Sequence, residues 1–392
     1  MKKLKKGFTT GSCATAAAKA AAYMLITQTE ASRIKIITPV GLEYEAQVHK
    51  AYFDDNSASC EIIKESCDDP DITAGIHICA RVERVDSPKQ VYITGGEGIG
   101  IVTRPGLDQP VGNYAINSGP RKTIEKEVTA LLDEAGYKDS VLVTISAPMG
   151  REIALKTFNP HMGIEGGISI IGTTGIVEPM STDALLDTIK ADISMQYAEG
   201  CEVCIMAPGN YGVTFLMENY NIPERNIVVI SNFVGDAIRM CKDKGFKKIL
   251  LCSHIGKLIK VSGGIMNTHS KYSDDRMKLM CAAYEEACIR ISTGTDANID
   301  VSMQHEDHAD VLGQQDNLID EKTRREISEK ILSCVSTSAA LDILNEIDFV
   351  KPVCDVIIDK AMHHLKQLAG DEMEIDCILY ENRYKELARR KL

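Results

Sequence analysis

Residues 204–253 read CIMAPGNYGVTFLMENYNIPERNIVVISNFVGDAIRMCKDKGFKKILLCS. Three short apolar runs stand in this stretch: Cys204–Ala207, Ile227–Ser231 and Lys248–Ser253. Between them lie two segments of helical period, near Val213–Glu218 and at Val234–Lys244. Strand and helix alternate with short links, which predicts βαβ units and a parallel sheet. In such sheets ligands bind outside the carboxyl ends of the strands. Asn210, Tyr211 and His254 follow strand ends directly. Working upstream, Thr182–Ala198 predicts a helix capped by Ser181, and Ile168–Ile171 a short strand. Downstream, from about Ser273, the chain reads as mostly helical and charged.

The N-terminal part has a different rhythm. An alanine-rich run to about Ile26 predicts a helix beginning near Cys13, with Ser12 or Thr10 as cap. Five β-rich runs then follow without helix-length gaps: Arg33–Thr38, Glu43–Tyr52, Ser57–Glu65, Ile76–Val85 and Gln90–Thr94. A helix at Pro120–Ala135 and a strand at Ser140–Ser146 complete the pattern. The expected architecture is mixed. An α+β domain over 1–166 is joined to an α/β domain over 167–392, with a mostly parallel Rossmann-like sheet and a helical C-terminal region.

Bulk properties exclude several classes. A net charge of −12 argues against bulk nucleic-acid binding, which needs a basic footprint. Local basic clusters at Lys2, Lys3, Lys5 and Lys6, and at Lys257 and Lys260, still suit an anionic small molecule. No run of about 18 apolar residues is present, so no membrane helix is expected. The basic N-terminus lacks a following apolar region of the signal-peptide kind. Thirteen scattered cysteines fit a reducing cytoplasm better than a disulfide framework. A homo-oligomer is compatible with all of this.

Several loops carry candidate chemistry. Gly172-Thr173-Thr174-Gly175 follows an apolar strand and precedes a helix, so backbone and hydroxyls can approach a ligand. Glu178 follows and can bond a ribose or an amine. Gly95-Gly-Glu-Gly-Ile-Gly is a second such loop, with Glu97 as its polar contact. His254 titrates near neutral pH in free form, and Lys257 and Lys260 can meet carboxylates. His305-Glu-Asp-His308 has metal-ligand types, but no cysteine pair completes it, so a solvated acidic loop is expected and no metal. Cys201-Glu-Val-Cys204 leads into a strand rather than a helix, which favours buried thiols over a redox motif. No P-loop, nucleophile elbow or HExxH stretch appears. These residues describe a two-domain α/β enzyme with a Gly/Thr-rich cofactor site. A nicotinamide-dependent oxidoreductase and a non-catalytic small-molecule carrier stay open beside it.

Five blocks narrow the choice. Gly7-Phe-Thr-Thr-Gly-Ser-Cys-Ala-Thr-Ala-Ala-Ala-Lys-Ala-Ala resembles the N-terminal signature of the cobalt-precorrin-5B C1-methyltransferase family, CbiD. Gly95–Thr103, Gly172–Ser181, Pro208–Gly212 and Ser253–Lys257 resemble further blocks of that family, in its order. Gln304–Gln315 matches no block of it. The resemblance implies S-adenosylmethionine as methyl donor, a corrinoid precursor as partner, and methylation of ring carbon 1 of cobalt-precorrin-5B to give cobalt-precorrin-6A. It assigns no residue roles. Motif and strand-end position assign Gly172, Thr173, Thr174, Gly175, Glu178, Asn210 and Tyr211 to the donor. They assign Thr9, Thr10, Ser12, Glu97, Lys257 and Lys260 to the substrate. His254 is the candidate to accept a ring proton or to bond a carboxylate. A sulfonium methyl transfers by in-line displacement, so alignment and water exclusion matter more than a protein nucleophile.

Overall fold

The structure is a computed structural model, and it describes residues 7–65, 71–86, 89–177, 181–272, 274–294 and 320–391. The chain divides into two compact units, Met1–Asp187 and Thr188–Leu392.

The first unit runs β1 (Gly7–Phe8), α1 (Thr10–Thr27), β2 (Arg33–Ile37), β3 (Glu43–Gln47), β4 (His49–Phe53), β5 (Ser57–Ile63), β6 (His77–Val85), β7 (Val91–Gly95) and β8 (Ile101–Val102). It continues through α2 (Ser118–Glu134), β9 (Ser140–Ser146), α3 (Gly150–Ala154), β10 (Ile164–Glu165) and β11 (Ile176–Val177). Its main sheet has the order β4-β5-β6-β9-β7, antiparallel except for the parallel pair β7–β9. Val141, Val143 and Ile145 of β9 alternate toward the core, as a sheet with one buried face requires. Against them lies α1, buried from Thr10 through Ala18 and again through Ala20–Ala22. Alanines on all its sides let the helix sit close to the sheet. Its larger residues Met24 and Leu25 each contribute about 1.5–3 kcal/mol by burial.

The second unit begins inside α4 (Thr182–Ala198) and alternates β12 (Val203–Ala207), α5 (Asn210–Tyr220), β13 (Ile227–Val229), α6 (Val234–Lys244), β14 (Lys248–His254) and α7 (Ile255–Ser262). The helices α8 (Arg276–Thr293), α9 (Glu321–Ser333), α10 (Thr337–Asn345) and α11 (Val350–Ala369) follow. Two strands close the chain, β15 (Glu374–Glu381) and β16 (Lys385–Lys391). The sheet order is β13-β12-β14-β15-β16. The first four strands are parallel and β16 is antiparallel.

Two expectations change. The C-terminal region is not helical throughout: β15 lies beside β14 with seven residues in register. All of its residues after Glu374 are buried, which a helix-period reading of a charged tail overlooks. Residues 167–187, placed by sequence with the second domain, belong to the first compact unit. Ile168 and Ile170 enter its core and bridge to Ile99 and Ile116.

Candidate functional site

Each unit gathers its own set of loops. In the first, the opening turn of α1 meets the 169–175 segment. Thr9 caps the helix, accepting from the Ser12 amide at 3.2 Å. The Gly11 amide donates to the Ile171 carbonyl at 2.9 Å, and the Ser12 hydroxyl to the Gly175 carbonyl at 2.7 Å. Thr10 accepts from the Ile171 amide at 2.9 Å and donates to the Ser169 carbonyl at 3.2 Å. Gly172 has φ 144°, and a Cβ there would run into the Thr9 side chain. At Gly175, with φ 81°, a Cβ would stand 2.8 Å from both the Ser12 hydroxyl and Pro39.

This is a packed joint between two segments about 160 residues apart in sequence. Thr10 and Ser12 are buried, and their hydroxyls are used inside the protein. The Gly11 and Ser12 amides, which an anion at the helix entry would need, are partnered as well. Thr173 and Thr174 remain exposed. Beside them Ile171 is exposed, and the β2–β3 turn, whose Pro39 touches Gly175, exposes Val40 and Leu42. Glu97 is exposed on the 95–100 loop. The loop itself is a glycine junction: side chains at Gly98, Gly150 or Gly167 would strike one another's backbone or that of Ala147. Its glycines answer to close packing of three chain segments.

In the second unit β12 is the first strand, β13 adds on one side of it and β14 on the other. The topological switch point therefore lies between β12 and β14, and sheets of this kind bind their ligands in the crevice at that point. Pro208-Gly209-Asn210-Tyr211 leaves β12 there, and His254-Ile255-Gly256-Lys257 leaves β14. Gly209, at φ 140°, caps α5 and faces open space where a side chain would project. Asn210 is exposed, and Tyr211 is 75% exposed. The amine of Lys257 donates to the carbonyls of Pro208 and Ser231, and burial lowers its pKa. The half-buried His254 caps α7: its Nδ1 accepts from the Gly256 amide at 3.1 Å. Burial holds its imidazole below the usual range, Glu381 opposing and Lys257 adding to the shift.

Sequence reasoning missed the aromatic stack beside His254. Tyr380, at the end of β15, stacks on Phe215 at 4.4 Å and meets the His254 ring edge-on at 5.5 Å. The apolar run Ile375–Tyr380, interrupted only by Asp376, was the signal for it. Lys260, by contrast, is buried and donates to the Thr268 carbonyl at 3.0 Å, a structural bond within its own neighbourhood. The Cys204 thiol is also buried, its pKa raised first by the hydrogen bond with Cys241 and then by burial. Glu178, His305, His308 and the stretch Gln304–Gln315 lie outside the described residues. Among the described residues no group of three or more His, Cys, Asp or Glu side chains could hold a metal ion, and no helix is long and apolar enough to cross a membrane.

Comparison with known proteins decides the family. The CbiD family model matches residues 1–179, and the model for the CbiD C-terminal domain matches 317–391. A cobalt-precorrin-5B C(1)-methyltransferase of Ruminiclostridium cellulolyticum is 37% identical over 99% of this chain and 92% of its own length. The chain belongs to the CbiD family. Another relative of the same name, from Alkaliphilus oremlandii, is 48% identical over 71% of this CbiD chain and 76% of its own. A crystal structure of a cobalamin biosynthesis protein (cbiD) from Archaeoglobus fulgidus is 26% identical, covering 70% of this chain and 84% of that one, with a TM-score of 0.39.

Proposed function

We propose that this chain transfers a methyl group from S-adenosylmethionine to C1 of cobalt-precorrin-5B, giving cobalt-precorrin-6A in the cytoplasm. One observation supports the core of the reading: a relative named cobalt-precorrin-5B C(1)-methyltransferase is 37% identical along 99% of the chain. In the structure, the crevice between β12 and β14 offers a place of the right kind for the donor. Gly209 leaves room for a ligand at the start of α5, and Asn210 and Tyr211 are exposed beside it. That position suits a nucleoside-bearing ligand better than Gly172 and Gly175, whose open faces are filled by Thr9, Ser12 and Pro39.

The chemistry asks little of the protein beyond placement. The donor supplies an electrophilic methyl, and an electron-rich ring carbon attacks it in line with the departing sulfur. The chain's part is to fix the donor at the strand ends and keep water away. Lys257 holds the Pro208 and Ser231 carbonyls and so fixes the shape of that crevice. In the first unit, exposed Ile171, Val40 and Leu42 beside Thr173 and Thr174 form a mixed surface.

Purified protein incubated with methyl-labelled S-adenosylmethionine and cobalt-precorrin-5B should yield ring product carrying one label at C1. Label recovered on another ring carbon, or none transferred while both compounds bind, would sink the reading. Calorimetric titration with S-adenosylhomocysteine, with NADH as control, separates it from the oxidoreductase alternative. Binding of NADH alone would favour that alternative. A tetrapyrrole carrier would bind the ring and leave the donor unused.

A further inference from the structure

His254 is held in one tautomer by the backbone. Its Nδ1 accepts a hydrogen bond from the Gly256 amide at 3.1 Å, as cap of α7. A ring nitrogen that accepts has no proton of its own, so in neutral imidazole the proton stands on Nε2. Among the described residues Nε2 has no hydrogen-bond partner, and it is not among the fully enclosed polar atoms that lack one. It therefore presents an N–H at the carboxyl end of β14, one of the two strands that border the switch point. From this geometry we infer that His254 serves its ligand as a fixed hydrogen-bond donor through Nε2, and not as a proton acceptor. The proposal rests on the reading of the crevice as the donor site. It replaces the proton-accepting role that sequence position alone allowed.

The partner atom is an oxygen acceptor, a carboxylate or hydroxyl of the molecule in the crevice. A proton-accepting role would require a bare Nε2, which puts the proton on Nδ1. That proton would point at the Gly256 N–H, so the cap would break. Full protonation has the same cost. The surroundings agree. Burial and the Lys257 ammonium on α7 both disfavour imidazolium, and the Glu381 carboxylate on β15 only partly offsets them. The Tyr380 ring on β15 and the Thr337 hydroxyl of α10, 3.5 Å from where a Gly256 Cβ would stand, also pack near this corner, and the Arg383 guanidinium lies 3.6 Å from Glu381. Neither Tyr380 nor Thr337 carries charge at neutral pH.

The test has two arms. Two-bond proton–nitrogen NMR of the full chain reads the tautomer directly, with the His254 signals identified by their loss in His254→Asn. The expected result at pH 7 is protonated Nε2 and bare Nδ1. Protonated Nδ1, or imidazolium at that pH, overturns the proposal. The second arm compares His254→Asn with His254→Asp. Both residues cap a helix, so both variants should melt close to the wild type, but only Asn keeps an N–H to donate. S-adenosylhomocysteine should bind His254→Asn within about threefold of wild type and His254→Asp about tenfold or more weakly. Equal losses in the two variants count against a donor role. Methylthioadenosine lacks the carboxylate but keeps the ribose hydroxyls. If the Asp variant loses affinity for it too, the acceptor is a ribose hydroxyl; if affinity is lost only for S-adenosylhomocysteine, it is the carboxylate. If neither compound binds the wild type, the crevice is not the donor site and that reading fails, while the NMR arm still decides the tautomer.

Discussion

The ammonium of Lys257 donates to the Ser231 carbonyl at 3.1 Å while also bonding the Pro208 carbonyl. One side chain from the first turn of α7 thus ties together the chain as it leaves β12 and β13. Ser231 sits at φ 52°, a conformation that non-glycine residues adopt only when their surroundings hold it.

Lys257→Met should release both carbonyls. Each buried carbonyl left without its partner costs about 1–3 kcal/mol, so the variant should unfold at clearly lower denaturant. Affinity for S-adenosylhomocysteine should fall with it, because the Pro208–Tyr211 turn loses its anchor. Unfolding midpoints together with calorimetric titration check this. Unchanged affinity in a destabilised protein would separate the tie from the ligand.

The hydroxyls of the first unit divide into two kinds. Thr10 is buried and serves the Ile171 amide. Thr10→Val keeps the shape and strands that N–H, at a cost of about 1–3 kcal/mol. Thr173 is exposed, so Thr173→Ala should change stability by less than about 0.5 kcal/mol. Thermal denaturation should show this contrast. Any loss of turnover in Thr173→Ala would then belong to ligand contact and not to folding.

Gly172 gives a related expectation. At φ 144°, with the Thr9 side chain over its α-carbon, even alanine is strained. Gly172→Ala should destabilise the protein by about 1–3 kcal/mol without any ligand present. A melting temperature equal to that of the wild type would mean the loop can move away from α1. A loss of donor binding in a larger variant such as Gly172→Val therefore reports on folding first.

The alternating strands and helices of residues 203–254 were legible because each element is short, periodic and bounded by turn residues. From them followed the expectation of ligand contacts at strand ends, at Asn210, Tyr211 and His254, whereas the strand order that sets the switch point between β12 and β14 is visible only in the structure. β15 was not legible in the same way. Its residues face neighbours on both sides, so it shows an apolar run with no two-residue alternation. β16 is harder still, because Lys385, Arg389, Arg390 and Lys391 are charges of the kind that mark a strand at a sheet edge. The joint of Thr9–Ser12 with Ser169–Gly175 had no local signal either. Both glycines of the 172–175 loop were visible as conformational requirements. What filled the space beside them lay about 160 residues away, and the donor assigned there was inferred from spacing. Thr10 and Ser12 looked like ligand hydroxyls because sequence shows the functional group and not its partner.

Glu381 carries the last expectation, a pH dependence. Its side chain is buried at the end of β15. Burial alone would raise its pKa, but hydrogen bonds from the Arg383 amide, Ser338 and the Tyr384 amide, with the Arg383 charge, outweigh it and leave the carboxyl below its ordinary value. A carboxylate depressed in the folded state adds stability that is fully present above the unfolded pKa, near 4.5, and is lost as pH falls through the folded value. Glu381→Gln keeps an oxygen for the amides but removes the charge. It should cost about 1–2 kcal/mol at pH 7, since hydrogen bonds to a charged acceptor are the stronger kind. The difference between the two proteins should shrink as pH falls below the ordinary carboxyl value and on through the lowered folded one, where the wild-type carboxyl takes up its proton. Urea unfolding at a series of pH values reads this directly. A difference that stays constant with pH would mean the charge contributes nothing and only the geometry of the hydrogen bonds holds the turn.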